Sequence, residues 1–168
     1  MDGFEENEFH GQMVKPRSIE YLKNHKTTPV YSRWIDLLLE YYHNQLPEYA
    51  GLLLMYYPNI MIECYPLYMT ISTIHPTGPE SSIMHCDYFH HEDVITTRPD
   101  IVEAAEAASA ETMLEDADIC IRTAAGRKFL YEEGREEQGP YQTPFENGLA
   151  MFHSYYHRMM GVNDPVLV

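Results

Sequence analysis

The sequence predicts an α+β fold in which an antiparallel meander is followed by helices. Three observations support this: strand-forming runs between positions 52 and 89 separated by proline and glycine clusters, an alanine-rich stretch opened by Pro99 and Asp100, and a last segment with helix signals at both ends. The chain has 168 residues, 45% apolar and 22% charged, which is the size of one domain with enough apolar side chains for a core.

The elements follow in chain order. The first thirty residues are polar, contain Pro16 and Pro29 and keep no period, so they are expected to form an arm or loop that packs poorly alone. A helix is expected from Ser32 to Leu46, capped by Ser32 and stopped by Pro47, because Trp34, Leu37, Leu38, Tyr41, Tyr42 and Gln45 recur at helical intervals. Strands are expected from Leu52 to Tyr57, from Asn59 to Cys64, and from Leu67 to Ile74, where Leu67, Met69 and Ile71 alternate with Tyr68, Thr70 and Ser72. The cluster His75-Pro-Thr-Gly-Pro79 is expected to end that ladder in a turn before a further strand, Ser82 to Phe89.

In the helical stretch from Pro99, the early acids Asp100, Glu103 and Glu106 suit the positive end of the helix dipole. One helix to Glu133 would be long for a small domain, so a break is expected near Ser109, with a second helix from Thr112 to Ala125 stopped by Gly126. In the last helix Thr143-Pro-Phe-Glu146 reads as a capping box and Gly161 as the terminator. Phe145, Leu149, Phe152, Tyr156 and Met159 form an apolar stripe to lay on a sheet.

Charge and motifs exclude several functions. Eleven basic against 26 acidic residues leave a net charge of −15, which repels a phosphate backbone, so no nucleic acid partner is expected. No apolar run is long enough to span a membrane, and the acidic, base-free start has the wrong charge for a signal peptide. Cys64, Cys86 and Cys120 are odd in number and far apart, which fits a reducing compartment, and a cytoplasmic location is expected. None of the cysteines opens a CxxC, CxH or CxxH, and there is no GxSxG, P-loop or GxGxxG.

Among candidate metal ligands, His153 and His157 have i, i+4 spacing but no evident third partner, and read as the polar flank of a helix. His85 and His90, five apart in a strand, point to opposite faces. Asp116, within Glu115-Asp-Ala-Asp118, shares a helical face with Met113 and Cys120, which would set its carboxylate beside apolar side chains. A carboxylate so placed needs a cation or several donors, and iron is one such cation. The competing reading is a solvated acidic turn.

The order of segments adds a resemblance. Pro58-Asn-Ile-Met-Ile-Glu63, His75-Pro-Thr-Gly-Pro79, Glu115-Asp-Ala-Asp-Ile-Cys120, Gly139-Pro-Tyr-Gln-Thr-Pro-Phe-Glu-Asn-Gly148 and Phe152-His153 resemble the C-terminal catalytic domain of Rieske-type non-haem iron, ring-hydroxylating oxygenase α subunits, over roughly Gly51 to Gly161. The resemblance implies a helix-grip (START/Bet v 1-like) fold, here incomplete, in which a curved antiparallel sheet wraps a C-terminal helix around an apolar pocket. Residues 1–50 are then an N-terminal arm, loop and helix, and residues 51–168 a partial catalytic domain. The resemblance further implies a mononuclear Fe(II) held by two histidines and a carboxylate, and the position matching the carboxylate is Asp116. Met113 and Cys120, one turn either side, would line the substrate pocket.

The sequence departs from the family pattern in two ways. It lacks the CxH and CxxH ligands of the Rieske [2Fe–2S] cluster, and no His-x4-His segment precedes the Pro58-Asn59 strand. The chain therefore reads as truncated and is expected to bind iron poorly by itself. The intact family form would hydroxylate or demethylate an aromatic or quaternary-amine type substrate with dioxygen, as a mono- or dioxygenase. Its partners would be a small organic substrate, Rieske-containing and reductase proteins, and further copies in a trimer. The alternative is a non-catalytic helix-grip module that binds a small apolar ligand.

Overall fold

Antiparallel pairings between chain neighbours build the sheet of a computed structural model that describes residues 2–6, 9–24, 28–135, 139–143 and 146–161. Among the described residues the strands are β1 (Asp2–Glu6), β2 (Phe9–Val14), β3 (Gly51–Tyr56), β4 (Ile60–Tyr65), β5 (Tyr68–Gly78) and β6 (Ser81–His90), in spatial order β1-β2-β3-β4-β5-β6. The helices are α1 (Ile19–Asn24), α2 (Pro29–Tyr41), α3 (Glu92–Thr97), α4 (Pro99–Glu132) and α5 (Asn147–Met160). This is the predicted α+β architecture, an antiparallel sheet with C-terminal helices, consistent with a helix-grip domain.

The N-terminal segment does more than the arm, loop and helix read from the sequence. β2 pairs with β3 from Phe9↔Tyr56 to Val14↔Gly51 and so extends the sheet. Its backbone groups find partners in a strand some forty residues away, which a short-range period does not reveal.

Register fixes which side chains share a face. Met61↔Ser72, Glu63↔Thr70 and Tyr65↔Tyr68 are cross-strand partners on β4 and β5, and Cys86, Tyr88 and His90 of β6 join the same face through Ser72, Thr70 and Tyr68. On β5 the polar set, Tyr68, Thr70 and Ser72, faces the helices. Tyr68 meets Trp34 of α2 edge-on at 5.7 Å, and the Tyr88 hydroxyl donates to Ser109 Oγ of α4 at 2.9 Å.

The main core lies between α2 and α4. Trp34, Ile35, Leu38 and Leu39 meet Ile101, Ala104, Ala105 and Ala108, with Val94 of α3 closing one end. Each helix contributes residues spaced three and four apart, and the alanines of α4 let the two backbones approach closely.

Several boundaries differ from the sequence reading. α2 begins at Pro29, not Ser32: Thr28 is the cap, its Oγ1 accepting from Tyr31 N at 3.1 Å and donating to Glu111 Oε2 at 2.5 Å. The helix ends at Tyr41, ahead of Pro47. Positive φ at His43 and Asn44 and a bond from Asn44 N to Leu39 O at 2.7 Å turn the chain away. β5 runs on through Pro76, with a register shift between Pro76 and Gly78, so the turn proper is shorter than predicted. Beyond Thr73 β5 pairs with β6 alone, and proline is tolerated where one side of the ladder is free.

The expected break near Ser109 is absent: α4 is continuous for 34 residues. Ser109 uses its hydroxyl on Tyr88, Thr112 Oγ1 bonds back to Ala108 O at 3.1 Å, and Asp118 pairs with Arg122 one turn on. Gly126 lies inside α4. The stop comes at Gly134, whose φ is +64°. A Cβ at Gly126 would meet nothing within 4 Å, so Gly126→Ala is expected to stabilise the distal part of α4 by about 0.5–1 kcal/mol. Slower amide exchange around position 126 would register this gain, and faster exchange would contradict it.

In α5 the expected capping box is shifted. The helix starts at Asn147, and Glu146 Oε2 accepts from Gln142 N at 2.6 Å, while Pro144 and Phe145 lie outside the described residues. Gly161, at φ +67°, ends it as predicted. Of the predicted stripe, Leu149, Tyr156 and Met159 are exposed, while Phe152 makes the contact together with Tyr155. Both pack on the buried Tyr57, with ring centroids at 5.4 and 5.2 Å, and the Tyr57 hydroxyl donates to Gly148 O.

Candidate functional site

A cavity of about 700 Å³ opens between the sheet and the two core helices. Its floor is the sheet face described above, with Met61, Glu63, Tyr65, Tyr68 and Ser72 at its surface. α2 supplies one wall through Tyr31, Trp34, Ile35 and Leu38. α4 supplies the other through Ser109, Thr112, Met113, Asp116, Ala117 and Cys120, which follow one another at intervals of three, one, three, one and three, a single helical stripe.

The three residues singled out by sequence thus border one cavity. Asp116 and Cys120 are exposed at its open side, and Met113 is half-buried. Asp116 has no hydrogen bond or ion pair to a described residue, so its carboxylate is available to a ligand, whereas its neighbour Asp118 is held by Arg122 at 3.0 Å. Sequence reasoning missed Glu63, Ser72 and the aromatic residues around them. Alternation on β4 groups Glu63 with Met61 and Tyr65 on one face, but only the tertiary packing makes that face the one that borders the cavity.

The floor is well organised. Tyr65 and Tyr68 stack at 5.0 Å, and Tyr68 stacks on His90 at 5.8 Å, whose Nε2 lies 3.2 Å from Glu106 Oε1. The Glu63 carboxylate accepts from the Tyr65 hydroxyl at 3.3 Å and from Thr70 Oγ1 at 3.2 Å. Burial, and behind it the charge of Glu63, push the Tyr65 phenol well above the usual tyrosine value. Burial and then the neighbouring phenols do the same to Tyr68. Both phenols stay protonated at any physiological pH and serve as donors, not as bases.

His85 and His90 stand five apart on an unbroken ladder. His90 lies on the cavity face, while His85 meets His75 edge-on at 5.7 Å. His153 takes part in a bond between its Nδ1 and the Tyr141 hydroxyl at 2.5 Å. Among the described residues no group of three His, Cys, Asp or Glu side chains is placed to hold a metal ion. A single carboxylate does not by itself make a mononuclear iron site, because such an ion keeps its waters unless several donors converge, so Asp116 fits iron only as one member of a larger donor set. No described helix is long and apolar enough to cross a membrane, and the three cysteines are free.

Residues 2–162 match the family model described as ring hydroxylating alpha subunit (catalytic domain). The chain belongs to that family. The match begins ahead of Gly51, so β1, β2 and the first helices lie within it. Putrescine 2-hydroxylase of Bordetella bronchiseptica is 39% identical over 135 residues, which cover 80% of this chain and 31% of that protein. The Ralstonia nicotianae protein of the same name is 39% identical over 133 residues, 79% of this chain and 36% of its own length. The chloroplastic choline monooxygenase of Spinacia oleracea is 29% identical over 105 residues, 62% of this chain and 23% of the relative. No solved structure matches the chain. The chain spans about a third of the length of the putrescine 2-hydroxylases it matches. Members of the family use non-haem iron and act on organic substrates together with Rieske and reductase partners.

Proposed function

We propose that this chain supplies one side of the substrate pocket of a Rieske-type oxygenase α subunit and contributes Asp116 as the carboxylate ligand of the mononuclear iron. The remaining ligands and the [2Fe–2S] cluster come from outside the sequence described here. The intact oxygenase would hydroxylate or demethylate a small organic amine with dioxygen, in line with the amine substrates named for the relatives. Met113 and Cys120 line the pocket beside the metal-binding carboxylate.

The observation that carries this reading is the position of Asp116. Among the described residues it is an unpaired carboxylate on the rim of a largely aromatic and aliphatic cavity, in the segment that by resemblance corresponds to the family's ligand motif. The cavity walls position and enclose a substrate, while Asp116 reaches the rim where a metal held by other donors can meet it.

The test is a chimera in which this sequence replaces the matching residues of the Bordetella bronchiseptica putrescine 2-hydroxylase. Stoichiometric iron is expected in the chimera, falling at least about tenfold in Asp116→Ala and unchanged in Asp118→Ala, whose carboxylate already pairs with Arg122. Loss of iron from the parent chimera would overturn the oxygenase reading. Full iron in Asp116→Ala would remove the residue from the metal site.

A further inference from the structure

Two polar groups on the cavity floor are unaccounted for by an apolar pocket. Alternation on β4 and β5 brings Glu63 and Ser72 to the same face, and the register Glu63↔Thr70, Met61↔Ser72 makes them diagonal neighbours across the two strands. Both border the cavity. Ser72 is 0% exposed and its Oγ has no hydrogen-bond partner among the described residues, although buried hydroxyls nearly always find one.

Glu63 is held differently. Oε1 accepts from Tyr65 and Oε2 from Thr70, so the carboxylate is fixed in orientation while each oxygen keeps a lone pair. No described cation forms an ion pair with it. Trp34, Tyr65 and Tyr68 border the same space, and aromatic rings attract cations through their quadrupoles. A fixed anion, an unsatisfied hydroxyl and three aromatic rings around one cavity are the chemistry of a cation site whose ligand carries N–H donors.

We infer that Glu63 is the specificity-determining residue of the pocket, its carboxylate taking the primary ammonium group of an amine substrate while Ser72 Oγ accepts a second N–H of that group. The inference rests on reading the cavity as the substrate pocket and adds to it the group that is recognised and the residues that recognise it. A quaternary ammonium would satisfy the charge but leave Ser72 without a partner. An anionic substrate would meet Glu63 and Asp116 as like charges.

Trp34 is the single tryptophan of the chain and borders the cavity, so its fluorescence reports occupancy. Butylammonium is expected to change the Trp34 emission saturably, with butanol, its uncharged analogue, binding at least about tenfold more weakly and tetramethylammonium falling between them. Glu63→Gln is expected to raise the dissociation constant for butylammonium at least about tenfold and leave butanol unaffected. Ser72→Ala should weaken butylammonium about threefold without touching tetramethylammonium. Glu63→Asp, which keeps the charge but withdraws it by one methylene, should retain the preference for cations at lower affinity, and it secures the test if Glu63→Gln fails to fold. Equal binding of butylammonium and butanol, no binding of butylammonium, or unchanged affinity in Glu63→Gln would overturn the assignment. The iron content of the chimera is a separate measurement, so a failure of the amine site is distinguished from a failure of the oxygenase reading.

Discussion

Ile101→Ala is expected to lower the unfolding free energy of the chain by about 3 kcal/mol, the middle of the range for truncating a buried isoleucine. Ile101 is 0% exposed and lies where α2, α3 and α4 converge, packed among Trp34, Leu38 and Val94 of the same cluster. Its side chain leaves a hole that the surrounding helices cannot close, because Ala104, Ala105 and Ala108 on the same stripe have no length to move inward. Ile121→Ala, on the same helix but 68% exposed, should change stability by less than about 0.5 kcal/mol. Urea titration followed by far-UV circular dichroism measures both. A shift of equal size in the two variants would place the core elsewhere than between α2 and α4.

From β3 onward, α3 excepted, the order of elements was readable in the sequence because each of them carries a local signal. Proline and glycine punctuate the strands, and Pro99 and Gly161 mark the ends of α4 and α5. The misreadings arise where a distant contact outweighs a local rule. Ser109 looks like a helix break until Tyr88 of β6 takes its hydroxyl. Pro76 looks like the end of a strand, but its side of the ladder is free. The N-terminal strand β2 has too little pattern of its own, and it forms because β3 offers it an edge.

The site divides in the same way. Helical spacing alone brought Met113, Asp116 and Cys120 to one face, and they do border one cavity. Glu63 and Ser72 were not legible, since knowing that β5 turns its Tyr-Thr-Ser face toward the helices requires the tertiary packing of Tyr68 on Trp34 and of Tyr88 on Ser109. A strand with one apolar and one polar face would ordinarily bury the apolar one, whereas on β5 Thr70 and Ser72 are the fully buried residues.

Ala117→Pro separates the two roles of α4. Proline at this position removes the bond to the carbonyl of Met113 and crowds it, at a cost of about 3 kcal/mol in a helix interior, and it also disfavours helical geometry at Asp116. The first half of the helix is anchored by Ile101, Ala104, Ala105 and Ala108. From Glu115 to Phe129 every residue is exposed, so the second half is held by helix propagation, not by burial. The chain then relieves the strain by unfolding that second half locally and not by losing its core. The expected result is a fall in helix signal equivalent to roughly fifteen residues, together with a urea midpoint that moves much less than in Ile101→Ala and rapid amide exchange from about residue 114 onward. Asp116 and Cys120 lose their fixed positions on the cavity wall, so iron in the chimera should drop as in Asp116→Ala, whereas butylammonium still finds Glu63 on the intact sheet. If Ala117→Pro instead unfolded the whole chain, the distal half of α4 would be part of the core, and the division between a rigid sheet floor and a separately unfolding helical wall would fail.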